Sequence, residues 1–534
     1  MKNLPLGKQT FKDIIEKNKL YVDKTEEIYK LLENEDTFFF LSRPRRFGKS
    51  LLVTTLEQIF LGNKELFKGL WIYDKIEFKK YPVIKLTMND LKYSEGIEGF
   101  KLSLFDQIRD IYIKYDLEIL TEDYKIAFKN LIKELSKTEK VVLLIDEYDK
   151  PIIEYIDNID ESPLTPLQGG VNTAIEMRGV LKEFYETIKA NDEYLHFVFL
   201  TGVSKFSKTS VFSTLNNLTD ITIHEKYSKI VGIDEQQLYS YFDDRIKILA
   251  KKINRTEKET KEIIKTWYNG YSWDGINFLY NPYSLLLLFD KNSIENYWFK
   301  TGTPTFLIKM IKKYNLDIKR LDKSILNESD FDSYEVDNMN VMALLFQTGY
   351  LTIKEITEKN LGRKKYVLSY PNMEVKESLV RNLLDDFTQN KQSNGISVDE
   401  LIESLEEKNL KKFFNILNSM FGTIPNEILP KESKLDEKEA YYHTIFHLIF
   451  TLIGTSINSE VSVSKGRIDS VIETDNNIFI FEFKVGRSPR KALEQIESKN
   501  YYEAYSSSKK EITLIGVNFS IAKRNIKDWK IINL

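Results

Sequence analysis

The stretch from Phe38 to Phe60 reads FFFLSRPRRFGKSLLVTTLEQIF and decides how the first half of this chain folds. Its first five residues form an apolar run typical of a buried strand, and an apolar helical segment follows from Leu51. Between them lies RPRRFGKS, whose last three residues match the phosphate-binding pattern G-x-x-x-x-G-K-[ST] between a strand and a helix. The stretch therefore predicts a P-loop.

Each matching residue has a physical task in such a turn. Gly48 lets backbone N–H groups approach a phosphate, Lys49 brings charge to the β- and γ-phosphates, and the Ser50 hydroxyl is a magnesium ligand. Arg43 replaces the first glycine of the pattern. Arg45 and Arg46 are either phosphate contacts or solvated turn charges. The residues of this turn predicted to bind nucleotide are Arg43, Pro44, Arg45, Arg46, Phe47, Gly48, Lys49, Ser50 and Leu51.

Two further strand ends complete the predicted nucleotide site. Val141–Ile145 is an apolar run that Asp146 and Glu147 follow directly. We expect Asp146 to bind magnesium and Glu147 to polarise the attacking water, as phosphoryl transfer requires. The alternative is a buried strand that emerges into a charged turn. A later strand ends at Thr201, which either senses the γ-phosphate or simply ends the strand.

The order of elements predicts several domains. A chain of 534 residues exceeds what one hydrophobic core supports, about 250–300 residues. Over residues 1–233, strands alternate with helices, which predicts an α/β P-loop ATPase domain with a parallel sheet and flanking helices. The predicted strands are Thr37–Ser42, Val83–Thr87, Val141–Ile145, His196–Thr201 and Lys229–Ile233.

The remaining chain is predicted to form two more parts. Residues 234–425 are mainly helical, and a helix at Val341–Gln347 before a β-hairpin indicates a winged-helix-like unit. Over 426–534 the order is a helix, three strands, a helix and a strand, which predicts a second α/β domain. Its predicted strands are Glu460–Val463, Ser470–Glu473, Ile478–Lys484 and Ile512–Val517.

Composition limits the location and the partners. The net charge is only −3, so a nucleic-acid partner must be held by local basic patches. The absence of cysteine excludes disulfides, thiolate zinc sites and cysteine nucleophiles. The first residues lack the apolar core of a signal peptide, and the longest apolar run is far short of the roughly 20 residues that cross a bilayer. We expect a cytoplasmic protein without a membrane partner.

A second charged cluster occurs near the C-terminus. Asp469 begins one predicted strand, and Glu482 and Lys484 share one face of the next because side chains alternate along a strand. Two carboxylates are expected to bind Mg²⁺ while the lysine positions the attacking water, a set suited to phosphodiester hydrolysis. The alternative is a half-buried strand with a polar face. Secondary candidates on the neighbouring helices are Glu439, Gln495, Tyr501 and Tyr502.

An aromatic stretch in the middle of the chain is open to two interpretations. Residues 267–273 read WYNGYSW. Such a cluster is either a platform on which nucleic-acid bases stack or part of a packed core. Packing is the commoner use, and we favour it here.

Several motifs together resemble one known family. They are LPLGKQTF near the start, SRPRRFGKSLL, LLIDEYDKPI, FLTGVSKFSK, WYNGYSW, FQTGYLTI, GRID and FEFK. The chain resembles the bacterial AAA-ATPase-like proteins, and its C-terminal part resembles a PD-(D/E)xK nuclease domain. RPRRFGKS is the usual form of the turn in that family. The resemblance implies ATP and Mg²⁺ as cofactors and nucleic acid as a partner, with DNA favoured over RNA. Because AAA-type ATPases often complete their sites with a neighbour's arginine, a homo-oligomer is expected.

Two functional hypotheses follow. In the preferred one, the nucleotide state of the first domain regulates Mg²⁺-dependent cleavage of nucleic acid at Asp469, Glu482 and Lys484. Roles in phage defence or mobile elements follow only by analogy with other ATPase–nuclease fusions. In the alternative, the protein is an ATP-dependent switch that binds nucleic acid or protein without cleaving it.

Overall fold

The computed structural model describes residues 1–33, 36–157, 168–205, 217–298, 305–314, 316–331, 334–335, 338–358, 362–390, 394–424, 435–456 and 470–534. The chain divides into two compact units. The first unit contains Met1–Asn315 and Leu321–Glu374, and the second unit contains Leu316–Arg320 and Val375–Leu534. The three predicted domains, with boundaries after residues 233 and 425, stay a prediction.

A five-stranded parallel sheet forms the centre of the ATPase-like part of the first unit. Its order is β2-β3-β4-β1-β5, and every neighbouring pair is parallel. β1 and β3 are buried along their whole length, as apolar strands of a parallel sheet covered on both faces should be. The strands are β1 (Phe38–Ser42), β2 (Val83–Thr87), β3 (Val141–Asp146), β4 (Leu195–Gly202) and β5 (Thr219–Asp220).

Four of the five predicted strands of this sheet are confirmed, and the fifth is wrong. The predicted strand at Lys229–Ile233 is replaced by β5, which pairs with β1. Ile233 instead makes an isolated antiparallel bridge to Tyr280. A strand of only two residues has no alternating pattern that a sequence could reveal.

The first seven helices belong to this part of the chain. They are α1 (Phe11–Glu16), α2 (Thr25–Leu32), α3 (Lys49–Phe60), α4 (Gly96–Lys114), α5 (Tyr124–Ser136), α6 (Lys150–Asp157) and α7 (Gln168–Lys189). α3 follows β1 directly and buries Leu52, Leu56 and Ile59. This spacing puts one apolar face of α3 into the core.

The helical region that follows is defined by strong start signals. Asp234 and Thr256 each form a capping box at the start of a helix, and Asn281 caps a helix that begins with Pro282. Such caps satisfy N–H groups that have no partner inside the helix. The helices are α8 (Glu235–Lys252), α9 (Glu257–Tyr268), α10 (Pro282–Lys291), α11 (Thr305–Lys313), α12 (Glu328–Phe331) and α13 (Val341–Gln347).

The predicted helix followed by a β-hairpin is confirmed. α13 precedes an antiparallel pair, β9 with β10, and β6 joins them in a three-stranded sheet of order β6-β10-β9. β7 and β8 form a separate short pair. The strands are β6 (Ser324–Asn327), β7 (Tyr334–Glu335), β8 (Asn338–Met339), β9 (Thr352–Glu358) and β10 (Lys364–Ser369).

The second unit joins helices to a four-stranded mixed sheet of order β11-β12-β13-β14. β12 and β13 are parallel, and both outer pairs are antiparallel. Its helices are α14 (Met373–Thr388, which starts in the first unit), α15 (Asn394–Glu406), α16 (Leu410–Gly422), α17 (Leu435–Ser456) and α18 (Pro489–Ser498). Its strands are β11 (Ser470–Glu473), β12 (Asn477–Val485), β13 (Glu511–Ser520) and β14 (Asn525–Asn533).

The prediction for this region is confirmed in part. Three predicted strands correspond to β11, β12 and β13, whereas the strand predicted at Glu460–Val463 lies outside the described residues. β14 was not predicted, because it is mostly exposed and lacks an apolar run. Among the helices in the described part of the chain, none is both long and apolar enough to span a membrane.

Candidate functional site

The turn between β1 and α3 has the backbone that its sequence favours. Gly48 caps the helix at φ 97°, in the left-handed region that glycine adopts without a steric penalty. Arg46 also has a positive φ of 65°. The turn ends at the N-terminus of a twelve-residue helix, where N–H groups without helical partners attract anions. The predicted anion-binding turn is therefore present as a strand–turn–helix unit.

Lys49 is buried inside this turn. Its Nζ donates to the carbonyl oxygen of Arg43 at 2.9 Å and to that of Pro44 at 3.1 Å. Burial lowers the pKa of Lys49, and the nearby carboxylates of Glu147 and Asp146 act in the opposite direction. Because both hydrogen-bond partners are neutral, a phosphate oxygen would supply charge that the carbonyl groups lack.

Ser50 and Asp146 come together although they belong to different elements. Burial raises the pKa of Asp146, and a hydrogen bond with Ser50 lowers it. Within the described chain, Asp146 Oδ1 is buried without a hydrogen-bond donor. A hydroxyl and a carboxylate oxygen are hard ligands of the kind that magnesium prefers, usually with several waters retained. These two residues therefore fit a magnesium ion bound to a nucleotide.

Glu147 follows Asp146 in the chain and lines a cleft beside the turn together with Lys49 and Ser50. Its backbone has a φ of 54°, which costs a non-glycine residue about 1–3 kcal/mol and is common at functional sites. Burial raises the pKa of the Glu147 carboxyl, and Lys49 opposes this shift. Its role as the base for the attacking water stays a prediction.

The side chain of Arg43 has a different task from that of a phosphate ligand. It is fully buried, and its guanidinium donates to the carbonyl oxygens of Ser42 and Thr222, each at 2.8 Å. It also lies 4.0 Å from the centroid of the Trp273 ring. Burial lowers the pKa of Arg43 to about 9. Arg43 therefore anchors the start of the turn, and its predicted part in nucleotide binding can come only from its backbone.

The other residues of the turn divide between the cleft and the core. Arg45, Arg46, Gly48, Ser50 and Leu51 line the cleft with Lys49. Phe47 is buried and its ring lies 5.0 Å from that of Tyr271 and 5.1 Å from that of Trp273. Pro44 is buried and lies against Gly349, where an added Cβ would come within 2.7 Å of its ring.

The aromatic stretch at residues 267–273 is part of this packing. Tyr268, Tyr271 and Trp273 are almost completely buried. A base cannot stack on rings that solvent does not reach, so the packing interpretation is confirmed for these three residues.

Thr201 lies at the end of β4 beside β1. Its hydroxyl is fully buried and donates to the carbonyl oxygen of Leu41 at 2.8 Å. This bond ties the hydroxyl to the neighbouring strand, which favours the simpler interpretation of Thr201. A contact with the γ-phosphate stays a prediction.

Asp149 was missed by the sequence analysis. Its buried carboxylate accepts hydrogen bonds from the backbone N–H of Val203 at 3.0 Å and of Ser204 at 2.6 Å. An added Cβ at Gly202 would lie only 2.4 Å from Asp149 Oδ1, so this contact requires glycine. Asp149 therefore joins the ends of β3 and β4 behind Glu147. The only signal was its place in the IDEYD run.

These elements enclose a cleft of about 380 Å³ in the first unit. It joins the turn to Glu147 and Asp149, and it has one wall from the N-terminal segment and one from α10. The N-terminal motif LPLGKQTF and Tyr283 were not predicted as site residues. The lining residues missed by the sequence analysis include Pro5, Gly7, Lys8, Gln9, Asn89 and Tyr283.

The second candidate site lies on β12. Glu482 is only 2% exposed, and its Oε1 accepts from Lys484 Nζ at 2.8 Å and from Gln495 Nε2 at 2.5 Å. Gln495 comes from α18, which packs so closely on β13 that an added Cβ at Gly516 would lie 2.3 Å from the carbonyl oxygen of Pro489. The predicted proximity of Glu482, Lys484 and Gln495 is therefore present.

The other members of the predicted cluster divide between residues outside the described ranges and residues of the core. Asp469 lies outside the described residues, as does the side chain of Glu439. Ser470, the residue after Asp469, pairs with Phe481, the residue before Glu482. Tyr502 packs against the core of the sheet. In the described ranges, no three Asp, Glu or His side chains are grouped so that they could hold a metal ion by themselves.

Comparisons with known proteins match the two regions of the chain that contain the candidate sites. A family model described as a predicted AAA-ATPase matches residues 5–212, and one described as the PD-(D/E)XK nuclease superfamily matches residues 437–529. The first match defines a P-loop ATPase-like protein and includes the whole Arg43–Ser50 turn. The second match includes Glu482, Lys484 and Gln495.

A full-length relative defines the family. The chain is 34% identical over 533 residues to the "Uncharacterized protein in vnfD 5'region" of Azotobacter chroococcum mcd 1, covering 98% of each chain. This chain therefore belongs to the predicted AAA-ATPase family, and its C-terminal region matches the PD-(D/E)XK nuclease superfamily.

Proposed function

We propose that this protein binds and hydrolyses ATP at the Arg43–Ser50 turn and that its nucleotide state regulates Mg²⁺-dependent cleavage of nucleic acid by the second unit. The observation that carries the first half is the shared cleft of Lys49, Ser50 and Glu147, with Asp146 hydrogen-bonded to Ser50. The three kinds of group that phosphoryl transfer needs are a phosphate-binding cation, metal ligands and a carboxylate near the attacking water.

The residues of the turn would act in a simple order. Lys49 would exchange its two carbonyl partners for β- and γ-phosphate oxygens. Ser50 would hold Mg²⁺ directly, with Asp146 on its water shell, while Glu147 orients a water toward the γ-phosphate. The metal ion, when bound, neutralises charge on the β- and γ-phosphates.

A neighbouring cavity supports a ligand that carries an aromatic base. An apolar space of about 100 Å³ adjoins the turn, and Gly48 and Leu51 line both this space and the cleft. Its other walls include Leu52 and Val231. The one lysine in its lining, Lys24, already donates to the Lys229 carbonyl at 3.2 Å and to Gln237 Oε1 at 2.6 Å. A flat apolar base fits such a space better than a charged group does.

For the second unit, we propose phosphodiester cleavage with DNA as the substrate. Glu482 would hold Mg²⁺ with Asp469, and Lys484 would position the attacking water, with Gln495 orienting Glu482. We further propose a cytoplasmic homo-oligomer, and a role in phage defence or mobile-element biology by analogy with other ATPase–nuclease fusions.

One observation favours the alternative, a nucleotide switch that binds nucleic acid or protein without cutting it. Glu482 Oε1 already accepts from Lys484 and Gln495. A metal ion bound through Oε1 would have to displace one of these donors, whereas one bound through Oε2 would not, and a binding module would keep both donors.

A paired experiment tests both halves of the proposal. ATP turnover and Mg²⁺-dependent cleavage of a panel of DNA and RNA substrates are measured for the wild type, Lys49→Ala and Glu482→Ala. We expect Lys49→Ala to lose turnover and the ATP response of cleavage, and Glu482→Ala to lose cleavage alone. ATP binding without metal-dependent cleavage of any substrate would favour the switch, and cleavage by Glu482→Ala at the wild-type rate would refute the nuclease site.

A further inference from the structure

A buried carboxylate in the first unit has a position that neither candidate site explains. Glu374 lies in the first turn of α14 and is 0% exposed. Its Oε1 accepts from the backbone N–H of Tyr297 at 2.6 Å and of Trp298 at 2.8 Å. The Ser284 hydroxyl donates to Oε2 at 2.8 Å. A buried carboxylate is costly unless it is hydrogen-bonded, so these three donors determine where Glu374 can sit.

The contact between Glu374 and Ser284 leads to one wall of the nucleotide cleft. Ser284 belongs to α10, whose residues Pro282, Tyr283 and Leu286 line the cleft. The Arg46 guanidinium lies over the Tyr283 ring, 5.0 Å from its centroid, a distance at which a cation is attracted to an aromatic face. Glu374 therefore holds the helix that presents this ring to the turn.

The second contact leads to the backbone of the turn itself. The backbone N–H of Trp298 donates to Glu374. The indole N–H of the same residue donates to the carbonyl oxygen of Arg45 at 3.1 Å. The Trp298 side chain is buried, with its ring 5.2 Å from that of Tyr350 and 6.5 Å from that of Tyr271. A rigid indole between Glu374 and Arg45 thus fixes a carbonyl in the middle of the turn.

The fixed carbonyl precedes the two residues with left-handed backbones, Arg46 and Gly48. A turn of this kind is flexible in isolation, and its N–H groups can bind phosphate without reorganisation only when the surroundings hold its conformation. We propose that Glu374 is a positioning residue for the nucleotide-binding turn, which it holds in its anion-binding conformation through Ser284 and Trp298.

Loss of this support should loosen the turn more than it weakens the whole unit. Without the carboxylate, the N–H groups of Tyr297 and Trp298 lose their acceptor and the indole is no longer held against Arg45. Loss of one such hydrogen bond corresponds to about a tenfold change in a local equilibrium. The effect on ATP affinity rests on the proposed function, whereas the effect on the turn does not.

The experiment compares four single variants of the full-length chain. Glu374→Ala removes the acceptor, Glu374→Gln keeps one carbonyl oxygen for the two N–H groups, and Trp298→Phe removes the indole donor to Arg45 while it keeps a smaller aromatic ring. Leu249→Ala is the control for general destabilisation, because Leu249 is a buried core residue of α8 that lines neither cavity. Amide hydrogen exchange of the peptide over residues 43–52 is measured without nucleotide, together with the Kd for ATP and the melting temperature.

We expect exchange over residues 43–52 to rise about tenfold in Glu374→Ala and Trp298→Phe but not in Leu249→Ala, with recovery in Glu374→Gln. The Kd for ATP should rise by a similar factor in the same two variants. Unchanged exchange in Trp298→Phe, which lacks the donor to Arg45, would overturn the proposal, as would equal exchange in Glu374→Ala and Leu249→Ala. If the wild type binds no ATP, the proposed function fails while the exchange result still decides the role of Glu374.

Discussion

The Arg43–Ser50 turn and the β12 strand both bring a lysine close to carboxylates, but they hold it in opposite ways. In the turn, Lys49 Nζ is held by carbonyl oxygens of its own loop, whereas Asp146 ends β3 and Glu147 follows that strand. On β12, Lys484 Nζ lies 2.8 Å from Glu482 Oε1, two residues away on the same strand. One lysine has neutral partners, and the other forms an ion pair.

This difference determines what each site can do before its ligand arrives. Lys49 Nζ has only neutral hydrogen-bond partners, although the Glu147 and Asp146 carboxylates lie nearby, so a phosphate oxygen that replaces a carbonyl partner gains a charge-assisted bond. The ion pair on β12 is already compensated, so a metal ion at the same oxygen must compete with Lys484 and Gln495. We therefore expect the turn to depend on its backbone scaffold and the β12 site to depend on the side-chain pair.

The largest effect is expected for Glu147→Gln. If Glu147 is the base for water, its loss should lower ATP turnover about 10²- to 10⁴-fold while ATP binding persists, because the turn and Lys49 are unchanged. Turnover is measured by phosphate release and binding by nucleotide titration. The matched control is Glu139→Gln, a surface residue paired with Lys79. If Glu147→Gln hydrolysed ATP at the wild-type rate, Glu147 would not be the base, and the strand would simply end in a charged turn.

The scaffold of the turn is tested by Arg43→Met. This change leaves the carbonyl oxygens of Ser42 and Thr222 without their buried donor, which should lower the free energy of unfolding by about 3 kcal/mol. Urea unfolding can be followed by tryptophan fluorescence, since four of the five tryptophans lie in the first unit.

Arg45→Met is the control for this prediction, because it is the same substitution at an exposed position of the same turn. We expect the unfolding free energy of Arg45→Met to stay within about 0.5 kcal/mol of the wild type. Equal stability of the two variants would show that the buried guanidinium does not support the turn.

On β12, the side-chain pair is tested by Lys484→Met, which keeps an unbranched side chain but removes the charge. We expect cleavage to fall about 100-fold, the usual effect of losing one positioned electrostatic group, with ATP turnover retained. Lys491→Met on the exposed side of α18 is the matched control. If ATP turnover fell with cleavage, the separation between the two sites would not hold.

The smallest effect concerns the pH dependence of stability. Burial raises the pKa of Glu374 to about 7 from an ordinary value of 4.5, so the folded protein binds this proton more tightly than the unfolded chain does. The stability that Glu374 contributes is therefore complete when the pH is below its pKa in the unfolded chain. This stability is lost as the pH rises through its pKa in the folded protein. Between about pH 5 and about pH 7, the wild type should lose roughly 2 kcal/mol relative to Glu374→Gln.

The titratable side chains that interact with Glu374 are Tyr268, Tyr271 and Tyr297, and the pKa of each is raised, so none of them changes charge in this range. The measurement is urea unfolding of both proteins across the pH range. If the difference in unfolding free energy between the wild type and Glu374→Gln does not change with pH, Glu374 is ionised over the whole range.

Local pattern explains what the sequence predicted well. β1 and β3 are continuous apolar runs, and the turn between β1 and α3 has residues whose backbone requirements are local, so both were recognised without any knowledge of distant contacts. β5 and β14 were missed because one has two residues and the other is mostly exposed. Neither leaves a periodic apolar signal.

The same reasoning applies to individual site residues. Lys49, Ser50, Asp146 and Glu147 were predicted because their spacing from a strand end is part of the motif. The structural roles of Arg43 and Asp149 could not be predicted in this way, because their partners Thr222 and Ser204 are 179 and 55 residues away in the chain.

By itself, the sequence determined that this chain contains a strand–turn–helix unit with the P-loop pattern, an acidic strand end and a carboxylate–lysine pair on a β-strand. Only the tertiary structure decided that the buried guanidinium of Arg43 anchors the start of the turn. It also decided that Trp298, held by Glu374, binds the carbonyl oxygen of Arg45. The reason is physical: a motif specifies backbone conformations over a few residues, whereas the burial of a charged or polar group depends on every element that surrounds it.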